Sequence, residues 1–195
     1  MKSMYHVILA GGSGSRFWPK SRKDTPKQLL KILGDETMIR ITYNRLEKIS
    51  DAEHILVVSS YELSKKINRE IPEIPQENFI IEPSGKNTAP AIGLAALHIC
   101  KRDSDAIMGV YPADHIIVGD AKFRTIISKA REIVKHNASL ITIGIKPTYP
   151  SIGYGYIQYD PKKNVDMEGI YKVKTFAEKP KKETAEIFFN SGEFL

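Results

Sequence analysis

Tyr5-His6-Val7-Ile8-Leu9, followed at once by Ala10–Gln28 (AGGSGSRFWPKSRKDTPKQ), is the stretch on which the reading of this chain turns. The apolar run is short, bounded by glycine and centred on β-branched residues, which reads as a buried strand. Gly11, Gly12 and Gly14, with Ser13 and Ser15 between and after them, then leave a backbone almost bare of side chain. Such a backbone adopts positive φ readily and comes close to a ligand. Bare N–H groups at a strand end form an anion site. Arg16, Lys20, Arg22, Lys23 and Lys27 follow within one loop length, opposed only by Asp24. A polyphosphate satisfies this arrangement. The blander alternative is a glycine-rich turn leading into a solvated basic loop. The density of glycines, prolines and two kinds of cation at one strand end favours the phosphate.

Two common phosphate motifs are excluded by register. The dinucleotide fingerprint G-x-G-x-x-G starting at Gly12 requires glycine at position 17, which is Phe17, and no register supplies a P-loop. Pro19 and Pro26 prevent a long helix from starting soon after the glycines, so the loop is expected to be extended and rigid. What remains resembles the signature of the sugar-nucleotide pyrophosphorylases, G-G-x-G-x-R-x-x-P-x-S/T followed by P-K. Phe17-Trp18-Pro19, Ser21-Arg22 and Pro26-Lys27-Gln28-Leu29-Leu30 are most similar to the mannose-1-phosphate guanylyltransferase branch. The resemblance extends from Val7 to the end of the chain through several separate motifs.

At 195 residues the chain fits one domain, 1–195, and 42% hydrophobic content is enough for a sizeable core. The net charge of +6 is focused rather than spread. The first 31 residues hold seven Lys and Arg against one acid, and residues 171–182 hold five lysines against Glu178. This focus favours a small anionic ligand over a nucleic-acid stripe, which would need basic residues along a face with interleaved aromatics. Cys100 is the single cysteine, so no intrachain disulfide and no cysteine-based metal site exist, and its apolar helical setting reads as core. No apolar run reaches membrane-span length and the N-terminus reads as a strand rather than a signal peptide, so a soluble, cytoplasmic protein is expected, with no membrane or nucleic-acid partner. The oligomeric state is left open, a homo-oligomer included.

Downstream, helical spacing is seen over Asp35–Ile49, Tyr61–Glu70, Ala89–Cys100 and Asp120–His136, and strands over His54–Ser60, Phe79–Ile81, Ala106–Tyr111 and Leu140–Ile145. Asp35 or Thr37 offers the first helix a cap, and Asp120 the last. The alternation of strand and helix predicts a three-layer α/β fold with a parallel sheet. The resemblance narrows this to a Rossmann-like nucleotidyltransferase fold with a mainly parallel mixed sheet.

In open α/β sheets ligands lie beyond the carboxyl ends of the strands, so chemistry is sought at each strand end. Glu82-Pro83-Ser84-Gly85-Lys86-Asn87-Thr88-Ala89-Pro90 follows the third strand. Capping explains Asn87, Thr88 and Pro90, but not Glu82, whose carboxylate could accept from the N1–H and amino group of guanine or form a loop-stabilising ion pair. In the resembled family this segment lies beside the base. Tyr111-Pro112-Ala113-Asp114-His115 ends the fourth strand, and Asp114 is either a hard ligand for Mg²⁺ or a turn-capping aspartate. Its match to the family's P-A-D-H implies the metal role. His115 and His98, the latter on an apolar helix face, have no partner at metal-ligand spacing and read as structural.

Ser151-Ile152-Gly153-Tyr154-Gly155-Tyr156-Ile157 places glycines beside an alternating strand, by themselves as much a bulge as a point of close ligand approach. The resemblance implies that Gly153, Tyr154 and Gly155 contact a sugar. Phe176-Ala177-Glu178-Lys179-Pro180 resembles the family's F-x-E-K-P, in which the carboxylate holds sugar hydroxyls and the lysine faces the sugar phosphate. Lys181–Phe194 reads as a helix and turn. The family carries a further strand, an N-S-G-[IM]-F motif and a second metal-binding aspartate beyond this point, and Asn190-Ser191-Gly192 lies where a helix ends and is not equated with that motif. A C-terminally incomplete nucleotidyltransferase domain is therefore expected, and the isomerase domain of some relatives is not in the chain.

The resemblance implies Mg²⁺-dependent conversion of GTP and mannose 1-phosphate into GDP-mannose and pyrophosphate, as in polysaccharide biosynthesis. The sugar phosphate attacks the α-phosphate directly. Arg16, Lys27 and Asp114 are the expected catalytic residues: Arg16 on the departing β- and γ-phosphates, Lys27 on the α-phosphate, Asp114 on the metal. The nucleotide site comprises Gly11, Gly12, Ser13, Gly14, Ser15, Arg16, Glu82, Asn87 and Thr88; the sugar-phosphate site comprises Gly153, Tyr154, Gly155, Glu178 and Lys179. The alternatives are a sugar nucleotidyltransferase of other base or sugar specificity, and a non-catalytic sugar-nucleotide-binding module.

Overall fold

The strand Met4–Leu9 (β1) lies at the centre of a four-stranded parallel sheet in the order β3-β2-β1-β4, with β2 at Ile55–Ser59, β3 at Phe79–Ile81 and β4 at Ile107–Pro112. These come from a computed structural model, which describes residues 2–12, 17–22, 25–137, 139–165 and 167–195, without the side chains of residues 163–165 and 167. The helices are α1 (Met38–Leu46), α2 (Tyr61–Glu70), α3 (Thr88–Arg102), α4 (Asp120–His136) and α5 (Lys182–Ser191). The chain divides into two compact units, residues 1–139 and 140–195.

In the first unit the pleat of β1 explains the layers. Successive side chains point to opposite faces, so Tyr5 and Val7 go one way and Ile8 and Ala10 the other. Tyr5 and Val7 join Leu56, Val58 and Ile80 beneath α3, which contributes Ala91, Ala95 and Ile99. Ile8 and Ala10 join Ile55 and Val57 beneath α1, α2 and α4, through Ile39, Tyr43, Leu46, Leu63, Ile67, Phe123 and Ile127. Burial on both faces is what makes β1 and β2 read as continuous apolar runs rather than alternating ones. Each of the Val, Leu, Ile and Phe side chains among them contributes about 1.5–3 kcal/mol on removal from water, and the alanines less. This is the expected three-layer α/β arrangement.

Several expectations shift in detail. Thr37 is the cap of α1, its hydroxyl accepting from the Arg40 N–H. Asp120 is the first helical residue of α4 rather than its cap; Gly119 precedes it with φ 93°, and the Asp120 carboxylate pairs with Lys48 at 2.6 Å. Cys100 is exposed, not core. The buried stripe of α3 is Ala91, Ala95 and Ile99, and Cys100 falls one residue, about 100°, past it. Leu140–Ile145 is not a strand: no backbone pairs with it in a ladder among the described residues, and Leu140 and Ile145 are exposed. An alternating apolar pattern makes a strand only where a neighbour supplies hydrogen bonds.

The second unit is built on an antiparallel pair, β5 (Tyr156–Val165) and β6 (Met167–Ala177), in which Tyr156 pairs with Ala177 and Ile157 with Phe176. The chain end runs beside β5, where Ile157 and Leu195 exchange both backbone hydrogen bonds at 2.8 and 3.0 Å. Tyr156, Phe188 and Phe194 form an aromatic cluster, with the two phenyl rings stacked at 4.0 Å. α5 closes at Ser191 with Gly192 at φ 69°, a left-handed helix stop, so Asn190-Ser191-Gly192 is a helix end as expected. No described helix is long and apolar enough to cross a membrane.

Candidate active site

The strand order reverses at β1. The chain leaves β1 for β2 and β3 on one side, then returns to place β4 on the other. The carboxyl ends of β1 and β4 therefore flank the switch point of the sheet, the crevice position at which sheets of this kind bind ligands. β1 delivers Gly11 and Gly12 to it, and β4 delivers Ala113 and Asp114.

Gly12 has φ 91°, a conformation costly for any residue with a Cβ. The turn is anchored from below by Gln28, which is fully buried on a short 3-10 turn, Lys27–Leu29. Its Nε2 donates to the carbonyls of Ala10 at 2.9 Å and Gly11 at 2.7 Å. In a trans peptide the following N–H points opposite to the carbonyl, so this clamp turns the N–H groups of Gly11 and Gly12 away from Gln28. Ser13, Gly14, Ser15 and Arg16 lie outside the described residues.

The same 3-10 turn carries Lys27, whose Nζ donates to Oδ2 of Asp114. Both side chains are 23% exposed, so the pair is shielded but reachable. Asp114 is held from two directions. Ala113, buried beside it, donates its N–H to Leu9 at 3.1 Å and accepts from the Thr42 hydroxyl at 3.4 Å. Residues 87 positions apart in sequence thus meet at the strand ends.

Glu82 extends the edge of the sheet, its N–H donating to Ser59 at 3.0 Å. Its carboxylate reaches the glycine turn: a Cβ on Gly11 would sit 3.0 Å from Oε2. The missing side chain of Gly11 is what admits this carboxylate. Asn87 immediately precedes α3 with φ 68° and makes no side-chain capping bond, so the capping explanation does not account for it. Such a conformation in a residue other than glycine costs about 1–3 kcal/mol and clusters at ligand sites. Thr88 is the first residue of α3, and both are exposed.

In the second unit, Gly153, Tyr154 and Gly155 form a loop before β5 rather than a bulge within it. Gly155 repeats the device of Gly11: a Cβ there would lie 2.9 Å from Oε2 of Glu178. Glu178 also pairs with Lys179 at 2.7 Å, and Lys179 has φ 41°. The pair is largely exposed, at 73% and 53%. Tyr154 is exposed as well, and the Gly153 N–H donates to the Ser151 hydroxyl at 3.2 Å.

His115 and His98 are exposed, so His98 does not lie on a packed face. Among the described residues no group of three or more His, Cys, Asp or Glu is placed to hold a metal; Asp114 stands as a single carboxylate with a cation, Lys27, against it. Gln28 and Thr42 are the residues that sequence reading passed over. The only signal for Gln28 was an amide between Lys27 and two leucines.

Mannose-1-phosphate guanylyltransferase 2 of Escherichia coli O157:H7 is 39% identical over 95% of this chain, which matches 40% of that protein's length. The mannose-1-phosphate guanylyltransferase of Klebsiella pneumoniae is 39% identical over 96% of the chain and 40% of its own length. The chain thus spans about 40% of the length of these curated relatives. Among solved structures, one described as mannose-1-phosphate geranyltransferase from Thermus thermophilus superposes with a TM-score of 0.87 and 29% identity, covering all of this chain and 55% of that one. A structure described as mannose-6-phosphate isomerase from Helicobacter pylori gives 0.76 and 28%, covering 98% and 66%. The profile described as nucleotidyl transferase matches residues 5–195, from the first strand through the last turn. Because that one profile spans nearly the whole length of the sequence, the chain belongs to the nucleotidyl transferase family.

Proposed function

We propose that this chain carries the nucleotidyl-transfer site of an enzyme that makes GDP-mannose and pyrophosphate from GTP and mannose 1-phosphate. The observation that carries the reading is the Lys27–Asp114 pair beside the turned-out N–H groups of Gly11 and Gly12, in the crevice where the strand order reverses. The names of the similar proteins support the choice of substrates.

The chemistry needs no protein nucleophile. An oxygen of the sugar phosphate attacks the α-phosphorus, the bond from that phosphorus to the bridging oxygen breaks, and pyrophosphate leaves with the bond electrons. Catalysis is then positioning and electrostatics. In our reading the Gly11 and Gly12 N–H groups cradle the phosphates, with Ser13, Gly14, Ser15 and Arg16 completing the cradle and Arg16 on the departing β- and γ-phosphates. Lys27 releases Asp114 and neutralises charge as it develops on the α-phosphate. Glu82, admitted to the turn by Gly11, accepts from the N1–H and amino group of guanine, and Asn87 and Thr88 complete the nucleotide side. Glu178 accepts from sugar hydroxyls, Lys179 faces the sugar phosphate, and Gly153, Tyr154 and Gly155 form the sugar loop.

Enzymes of nucleotidyl transfer work with a divalent metal as a rule. A single hard carboxylate that already faces a cation fits magnesium, which takes one or two carboxylates and fills its shell with phosphate oxygens and water. Asp114 would hold it, and when bound it supplies charge neutralisation on the phosphates.

Titration calorimetry with GTP, ATP, CTP, UTP and dTTP in the presence of Mg²⁺ tests the reading, followed by assay of GDP-mannose formation with mannose 1-phosphate. Preference for GTP and appearance of GDP-mannose are expected. Equal affinity for all five nucleotides, or tighter binding of another base, overturns the guanine assignment. GTP binding without product identifies a binding module instead.

A further inference from the structure

The amino ends of the strands, opposite the nucleotide crevice, hold a second cleft of about 540 Å³. β1 is six residues long, so the two ends of the sheet are on the order of 20 Å apart. A ligand in this cleft is not a reactant in the crevice.

Three segments of the first unit build it: the start of β1, the link between α1 and β2, and one face of α4. Helical spacing puts Arg124, Ser128 and Arg131 on that face at i, i+4 and i+7. Lys2, from the start of the chain, and His54, from the link, add to them, and Asp51 is the one carboxylate among the lining residues. Arg131 is anchored by one nitrogen, Nη2, which donates to the Lys2 carbonyl at 3.1 Å. Its Nε is buried and has no hydrogen-bond partner. A buried, charged donor left unmatched is costly. Arg45 Nε and Gln28 Oε1 share that condition elsewhere in the fold, but Arg131 alone of the three lines a cleft with room for an acceptor. None of the groups lining the cleft belongs to the site described above.

We propose that this cleft binds a small, soluble, phosphate-bearing anion at a site separate from the nucleotide crevice. Two guanidinium groups and an ammonium, with the Ser50 and Ser128 hydroxyls beside them, supply several charge-assisted donors to one tetrahedral anion, where a carboxylate would use two. The volume exceeds what a free phosphate needs and lies in the range of metabolite sites. Met4, Ile49 and Ile127 give the remainder of such a ligand an apolar wall.

The probe is inorganic phosphate, added at constant ionic strength to ¹⁵N-labelled protein and followed by amide shifts. Saturable shifts at Ser50, Arg124 and Ser128 are expected. Arg124→Glu reverses an exposed charge, so it should weaken the binding by at least about tenfold without changing the melting temperature. Ser128→Asp, also at an exposed position, should do the same and decides the matter should Arg124→Glu fail to fold. Shifts confined to Gly11 through Lys27, no saturable shift at the cleft, or unchanged affinity in both variants overturns the proposal. This experiment contains no nucleotide, so its failure leaves the reading of the nucleotide crevice standing.

Discussion

Replacing Gln28 by methionine separates the shape of this residue from its hydrogen bonds. Methionine fills nearly the same volume but cannot donate, so the carbonyls of Ala10 and Gly11 lose the bonds of 2.9 and 2.7 Å. An unpaired buried polar group costs about 1–3 kcal/mol, and here there are two. The same substitution removes Gln28 Oε1, itself buried without a partner, which offsets about 1–3 kcal/mol. The net loss is about 2 kcal/mol, which lowers the melting temperature of a chain this size by roughly 4–8 °C. Released carbonyls also let the Gly11 and Gly12 peptides rotate, so GTP affinity should fall by more than the stability loss alone would cause. Calorimetric melting and GTP titration of wild type, Gln28→Met and Gln28→Glu read both effects. The glutamate keeps the shape and turns an acceptor toward two acceptors, so it should be worse than methionine in both assays. A methionine variant as stable and as tight for GTP as wild type refutes the clamp, as does a glutamate variant no worse than methionine.

Lys27→Met should leave GTP affinity nearly unchanged and lower kcat by about 10²–10³, the usual effect of removing one preorganised contact to developing charge; a rise confined to KM for GTP would place the lysine on the ground state instead. Asp114→Asn should remove the Mg²⁺ dependence of the GTP-induced melting shift while preserving the fold, and a large loss of stability without ligand would mark it as a structural turn residue. Glu82→Gln should weaken GTP more than ATP in titration calorimetry, because the amide keeps one acceptor and adds a mismatched donor; equal losses would remove Glu82 from base recognition. His6 is buried against Tyr111, sharing a 3.0 Å hydrogen bond with its hydroxyl, and its pKa is held down to about 4, first by burial and then by Arg131 and His54. A depressed pKa means that stability is complete above the unfolded value of 6.5 and is lost as pH falls toward 4. About 2 kcal/mol of that loss falls between pH 8 and pH 5, so urea midpoints of wild type should drop across this range while those of His6→Gln drop less; parallel curves would show that His6 is not the titrating group.

What the sequence determined by itself was local. Tyr5–Leu9 is apolar on both faces, and a strand of that kind has to be covered on both, so the layered α/β fold follows from one run of residues and the alternation behind it. Gly12 announces a tight backbone turn because only glycine supplies φ near 91° without cost. Tyr61–Glu70 was legible to the residue, and the helix ending near His136 to within one, its start falling on Asp120 rather than after it. Apolar spacing places a helix more firmly than capping chemistry places its end. Tertiary structure alone decided what depends on a partner distant in sequence. Leu140–Ile145 has the pattern of a strand and is not one, for want of a backbone that pairs with it in a ladder among the described residues. Cys100 looked apolar and is exposed, because one residue along a helix turns the side chain by about 100°. Glu82 at Gly11, Gln28 under the same turn and Lys27 against Asp114 are meetings across 17 to 87 positions. No local propensity encodes them, because the strand order alone brings those ends together.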